Sequence, residues 1–264
     1  MASIEARDVT EFQTDRTSRV SDEKPAGRWL LVSLGKTVLR PGGLELTERL
    51  VDQLSPGHAG DVLEIAPGIG VTAQLTLDQQ PYSYTAVKWE ESAARKNSSP
   101  LTWLGHLPSQ SFTVVYGEAT LTMQPLRSKL RILRESHRLL QPGGWYGVHE
   151  LGVVPGTGER LRCEIGQRLS GGTGVSIQPL MLPEWRDLLR RAGFQVLWEG
   201  RAPMNLSEPQ RMVDDARIAS PLRWFLNALR GANARRRAAG GRRVLREYRD
   251  HLEAVAFVCR KEIA

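Results

Sequence analysis

Three ionisable residues, Glu118, His149 and Glu150, stand at or just beyond the ends of two apolar stretches, FTVVY (112–116) and WYGVH (145–149). Both stretches are typical of buried strands. Because the carboxyl ends of parallel strands meet at one edge of a sheet, we expect the three side chains near a common crevice. There the imidazole could act as a general base, and a carboxylate could orient it or bind a cationic ligand. A backbone-bonded histidine and an arginine-paired carboxylate are the structural alternatives, and both stay open.

A glycine-rich turn follows another short apolar stretch, in VLEIAPGIG (62–70). Gly68 and Gly70 lack a Cβ atom, so a ligand can approach the main chain closely, and the N–H groups of the following helix can face it. The spacing is not the GxGxxG of dinucleotide-binding proteins, which argues against NADP. Two glycines at a strand–turn–helix junction also occur for geometry alone.

Strands and helices alternate along the rest of the chain, which predicts an α/β fold: an open, mostly parallel sheet covered by helices on both faces. The predicted strands are Asp61–Ile65, Tyr84–Trp89, Phe112–Tyr116, Trp145–His149, Phe194–Glu199 and Ala254–Cys259. The predicted helices are Leu44–Leu54, Val71–Asp78, Glu90–Lys96, Leu126–Leu140 and Glu184–Ala192.

Length and composition place these elements in one domain. Of the 264 residues, 1–27 mix both charge signs and predict a flexible arm, and 28–264 predict a domain with helical insertions at 151–182 and 200–253. The loop 170–174 (SGGTG) is expected to be a flexible connector, and Cys163 a small core residue. No apolar run is long enough to span a bilayer, so a cytoplasmic location is expected.

Metal and nucleic-acid sites are not indicated. The histidines are scattered, and adjacent His149 and Glu150 should point to opposite faces of their strand, so no metal is expected. The formal net charge is +7, with a cluster of arginines at 223–249. Such a cluster could bind nucleic acid, but a solvated helix face explains it more simply. Formation of a homo-oligomer is left open.

Taken together, EIAPGIG (64–70), YTAV (84–87), FTVVYGEA (112–119) and LLQPGGWYGVHE (139–150) resemble the class I S-adenosylmethionine-dependent methyltransferases. The block EWRDLLRRAGFQV (184–196) and the last strand candidate follow in the order that this family shows. The resemblance implies a Rossmann-like fold with an antiparallel last strand, S-adenosyl-L-methionine as cofactor, and methyl transfer to a small organic acceptor.

The resemblance also implies roles for individual residues. Those lining the methionine and ribose side of the cofactor would be Glu64, Ala66, Pro67, Gly68 and Gly70, with Tyr116 and Gly117 bordering the methionine and the substrate. Trp89 would stack on adenine. Lys88 occupies the position where the family places a carboxylate for the ribose hydroxyls. Glu118, His149 and Glu150 would be the catalytic candidates.

An alternative follows from Lys88 and from the short segment between Glu90 and Phe112. Both depart from the pattern of the family at positions that would contact the nucleoside. They are compatible with a methyltransferase-like protein with a degenerate cofactor pocket. Such a protein would act as a binding or partner subunit, or catalyse a reaction other than methylation.

Overall fold

The computed structural model describes residues 43–57, 60–67, 71–87, 104–173, 176–204, 240–241 and 243–263. Seven strands form one sheet: β1 (Asp61–Ile65), β2 (Ser83–Val87), β3 (Phe112–Glu118), β4 (Leu140–Val153), β5 (Leu180–Met181), β6 (Phe194–Pro203) and β7 (Leu252–Lys261). The described helices are α1 (Gly43–Leu54), α2 (Val71–Asp78), α3 (Leu126–Leu139), α4 (Glu159–Thr173) and α5 (Leu182–Arg191). A single 3-10 turn, Arg249–His251, leads into β7.

The strands lie in the order β2-β1-β3-β4-β7-β6, and the two-residue β5 pairs with the end of β4. Neighbours among β1 to β4 are parallel, whereas β7 runs antiparallel to both β4 and β6. The predicted α/β sheet with an antiparallel last strand is therefore confirmed. Since β1, β3 and β4 are parallel, their carboxyl ends open on the same edge.

Helices cover both faces of this sheet. On one face α1 packs Leu46, Leu50 and Leu54 onto the strands. On the other face α3 and α5 enclose the larger core, in which Trp185 and Leu133 are fully buried. The stripe of leucines at positions 46, 50 and 54 has helical spacing, which is why this segment forms an amphipathic helix.

Local signals fix the ends of α5. Pro183 lies in the first turn, and the Glu184 carboxylate accepts the N–H of Met181 at 2.8 Å. Gly193, with φ of 92°, ends the helix in a conformation that favours glycine. Helix α5 then leads directly into β6.

Two expectations for the region around α4 are wrong. Cys163 is exposed because the buried face of α4 is set by Ile165 and Leu169, one helical turn apart. Residues 170–173 belong to the end of α4 and are not a flexible connector. Ser170 explains this difference, since its hydroxyl donates to the carbonyl of Gly166 at 2.7 Å and accepts the N–H of Ile177 at 2.9 Å.

Several predictions lie outside the described residues: the arm at 1–27, the helix Glu90–Lys96, and most of the insertion at 200–253 with its arginines at 223–239. Among the helices that are described, none has the length and apolar character needed to cross a bilayer. In the same residues, no three His, Cys, Asp or Glu side chains are grouped as a metal site would require.

Candidate active site

Glu118, the last residue of β3, lies beside His149, which stands four residues before the end of β4, as the sequence predicts for parallel strands. They are direct register partners across the two strands. His149 Nδ1 lies 3.0 Å from Glu118 Oε1, and the exposed fractions of the two side chains are 1% and 13%. The two groups are therefore in direct contact at the edge where open α/β sheets bind ligands.

Two threonines fix the Glu118 carboxylate from the helices above the sheet. Thr47 of α1 donates its hydroxyl to Oε1 at 2.7 Å, and Thr72 of α2 donates to Oε2 at 2.5 Å. Both threonines are buried. Because each carboxylate oxygen accepts from a different helix, the plane of the carboxylate is defined independently of His149.

The contact with Glu118 also assigns the proton on His149. With Glu118 ionised, the carboxylate only accepts hydrogen bonds, and Nδ1 then carries the hydrogen in the Nδ1···Oε1 contact. Nε2 is in that case the ring nitrogen without a hydrogen.

Glu64, at the end of β1, lies in a tyrosine network. It is 3% exposed and accepts the hydroxyl of Tyr84 from β2 and that of Tyr116 from β3, the latter at 3.1 Å. Thr76 of α2 contacts the Tyr116 hydroxyl at 2.9 Å. The pKa of each of the two tyrosines is raised well above the usual range of a tyrosine. Burial is the largest cause, and the charge of Glu64 is the second. The network of Glu64, the two tyrosines and Thr76 thus links β1, β2 and β3 to α2.

Glu150 points to the opposite sheet face from His149, as the alternation along a strand predicts. It is completely buried, and it accepts the backbone N–H groups of Thr120, Leu121 and Thr122 at 3.0, 2.8 and 2.7 Å. The Thr122 hydroxyl adds a fourth hydrogen bond at 2.5 Å. Burial raises the pKa of Glu150, and the bonds to Thr122 and Leu121 counteract part of that effect.

Strained backbone follows the ends of β1 and β3. Ala66 and Ala119, directly after β1 and β3, have φ of 54° and 47°, in the left-handed region that residues with a Cβ atom rarely adopt. The Ala66 N–H donates to Val87 and the Ala119 N–H to His149, at 2.8 and 2.7 Å. These bonds turn the chain sharply at the candidate site, where such conformations often have a function.

The remaining cofactor candidates are described only in part. Pro67 is partly exposed beside Ala66. A Cβ atom added at Gly117 would lie 3.3 Å from the Thr120 hydroxyl and 3.4 Å from the carbonyl of Ile65, so the space at this position is limited. The positions Gly68, Gly70, Lys88 and Trp89 lie outside the described residues.

Two carboxyl groups lie close to this edge of the sheet. Glu64 is the next-to-last residue of β1, and Glu118 is the last residue of the neighbouring strand β3. Both side chains therefore belong to the candidate ligand-binding edge.

Sequence reasoning did not identify Thr47, Thr72 and Tyr84 as members of the site. For Thr47 a signal exists: it falls on the apolar face of α1 with Leu50 and Leu54, three and seven residues further on, where a hydroxyl needs a buried partner. For Thr72 and Tyr84 no sequence pattern gives the contact. Their partners lie on other strands, so the contacts depend on how the sheet pairs.

Sequence comparison gives a relative that has no assigned function. No family model matches the chain. A protein of Haemophilus influenzae that is itself uncharacterised is 28% identical over 222 residues, covering 78% of this chain and 87% of that protein.

Solved structures are similar over most of the chain, and three are representative. The cyclase SpnF is 16% identical with a TM-score of 0.59, covering 90% of this chain and 97% of its own. A phosphoethanolamine N-methyltransferase of Haemonchus contortus, in complex with S-adenosyl-L-methionine, is 17% identical with a TM-score of 0.55, covering 90% and 56%. A geranyl diphosphate methyltransferase bound to GPP and sinefungin is 14% identical with a TM-score of 0.53, covering 83% and 78%. The chain therefore has the class I S-adenosylmethionine-dependent methyltransferase fold.

Proposed function

We propose that this protein binds S-adenosyl-L-methionine and transfers its methyl group to a small organic acceptor, with His149 as general base and Glu118 as the group that orients it. The observation that carries the proposal is the Glu118–His149 contact at the carboxyl edge of a class I methyltransferase sheet. In open α/β sheets, ligands generally bind at this edge. The pair would supply a proton acceptor there.

The chemistry supplied by the cofactor is a methyl group on a positively charged sulfur. The chain's own residues contribute alignment, exclusion of water and, for an acceptor that must lose a proton, a base. His149 is almost completely buried, so an acceptor that reaches it is shielded from bulk water. Glu118 holds the imidazole through Nδ1, and Thr47 and Thr72 hold Glu118.

The cofactor would lie along the main chain that follows β1, from Ala66 and Pro67 to Gly68 and Gly70. The segment after β2 would contribute Lys88 and Trp89, the latter against adenine. Glu64, Tyr116 and Gly117 support this surface from the sheet. The hydroxyls of Tyr84 and Tyr116 keep Glu64 in place.

Isothermal titration calorimetry with S-adenosylhomocysteine and S-adenosylmethionine tests the proposal. The wild-type protein is expected to bind both. Glu118→Gln should weaken the binding of S-adenosylmethionine by about 10-fold more than the binding of S-adenosylhomocysteine. S-adenosylmethionine has the extra positive charge, so a charge-assisted interaction is lost only for this ligand. Glu253→Gln is the matched control, since Glu253 is a buried carboxylate of β7 that binds Arg201.

The two ligands also separate the outcomes. Failure of both to bind at millimolar concentration would reject the cofactor and leave only the fold. Binding of both without any consumption of S-adenosylmethionine would favour the second candidate, a methyltransferase-fold protein with another reaction. The likeness to the cyclase SpnF and the position of Lys88 support that candidate.

A further inference from the structure

We propose that Glu150 is a positioning residue: it holds Glu118 against His149 by binding the backbone of the post-β3 loop, residues 119–124. The importance of this role for catalysis rests on the proposed function, whereas the hydrogen bonds of Glu150 do not depend on it. Glu150 has no direct contact with Glu118 or His149 among its hydrogen bonds in the described part of the chain. Its effect would pass through the loop that begins directly after Glu118.

The post-β3 loop is unusual because it is irregular and yet buried. Its residues from Ala119 to Gln124 are all at most 7% exposed. Buried backbone N–H groups need acceptors, and outside strands and helices these are carbonyl groups of turns or side chains. Glu150 supplies acceptors to three consecutive N–H groups and to the hydroxyl of Thr122.

The two oxygens of Glu150 match this set of donors. Oε1 accepts the N–H groups of Thr120 and Leu121, and Oε2 accepts the N–H group and the hydroxyl of Thr122. An amide in the same place would direct its NH₂ group at one or more backbone N–H groups. Glutamine, although equal in size, is therefore a substitution that the loop cannot accommodate without moving.

The loop is also bonded to β4 on both sides of Glu150. The N–H of Ala119 donates to the carbonyl of His149 at 2.7 Å, and the N–H of Leu151 donates to the Thr122 hydroxyl at 3.1 Å. A shift of the loop would therefore pull on the peptide of Ala119, which follows Glu118, and on its bond to His149. These hydrogen bonds link the loop to the strand that carries His149.

Lys129 of α3 holds the same loop by its carbonyl groups. Its buried Nζ donates to Leu121 at 2.7 Å, to Gln178 at 2.9 Å and to Thr122 at 3.4 Å. Leu121 and Thr122 thus give their N–H groups to Glu150 and their carbonyls to Lys129. Opposite charges on the two sides of one short segment specify its position more narrowly than apolar packing would.

The test is a long-range ¹H–¹⁵N spectrum of the imidazoles, which reports the tautomer of each of the five histidines. His149→Gln assigns the signals of His149. In the wild-type protein we expect the Nδ1–H form, and in Glu118→Gln we expect its loss. In Glu150→Gln we expect a mixture of the Nδ1–H and Nε2–H tautomers of His149, whereas the control Glu253→Gln should keep the wild-type signals.

Far-UV circular dichroism and chemical unfolding establish that each variant is folded. If Glu150→Gln does not fold, Thr122→Val removes one of the four hydrogen bonds and should produce a smaller change of the same kind. A folded Glu150→Gln protein with the wild-type tautomer, or an unchanged Thr122→Val protein in its place, would overturn the proposal. Failure of S-adenosylhomocysteine to bind would reject the proposed function while leaving this readout intact.

Discussion

Removal of the Tyr84 hydroxyl should destabilise the protein through Glu64. The carboxylate is 3% exposed, and the two tyrosine hydroxyls donate to one of its oxygens, Oε2. A hydrogen bond to a buried charged group contributes about 1.5–3 kcal/mol to stability, so Tyr84→Phe should lower the free energy of unfolding by that amount. For a chain of this size the loss corresponds to a decrease in Tm of roughly 3–12 °C.

Chemical denaturation of Tyr84→Phe, with Tyr82→Phe as control, measures this loss. Tyr82 is 76% exposed, and its substitution should change stability by less than about 0.5 kcal/mol. In a double-mutant cycle, Glu64→Gln should remove most of the effect of Tyr84→Phe, with a coupling of about 0.5–3 kcal/mol. A Tyr84→Phe protein as stable as the wild type would refute the assignment of Glu64 to the tyrosine network.

Burial lowers the pKa of Lys129 to about 8, so between pH 8 and 10 the unfolded chain binds more protons than the folded one at this residue. The free energy of unfolding of the wild type should therefore rise relative to Lys129→Met by up to about 1.4 kcal/mol per pH unit in urea titrations over this window. Gly60→Ala should cost about 1–3 kcal/mol, because an added Cβ atom would lie 2.1 Å from the carbonyl of Pro56, while Gly158→Ala, with open space, should be neutral in the same assay. Spectrophotometric titration at alkaline pH should show four tyrosines that ionise above the ordinary pKa of a tyrosine while the protein is folded, Tyr84, Tyr116, Tyr146 and Tyr248.

Patterning within the chain predicts most of the described elements because each is built from local signals. Asp61–Ile65 and Val71–Asp78 have the bounds expected from the sequence. The strand expected at Trp145–His149 is longer, Leu140–Val153, since it pairs with β7 far beyond the apolar stretch. Helix α4 was expected only as part of an insertion, because its buried face is narrow.

For the candidate site too, one part could be predicted from the sequence and another part could not. The meeting of Glu118 and His149 follows from two parallel strands and could be predicted from their positions along the chain. The surroundings of Glu150 could not, because they depend on a loop folding back over the sheet. The contacts of Thr72 and Tyr84 depend on tertiary pairing, which no short sequence pattern encodes.

A crystal structure of the protein with S-adenosylhomocysteine tests the central claim most directly, namely that the carboxyl ends of β1 and β3 form the cofactor site. The account predicts the nucleoside along the main chain after Ala66 and the amino-acid portion toward Glu118. Electron density for the ligand at another part of the surface would contradict it. So would a crevice occupied by the protein's own side chains at ligand concentrations that saturate the crystal.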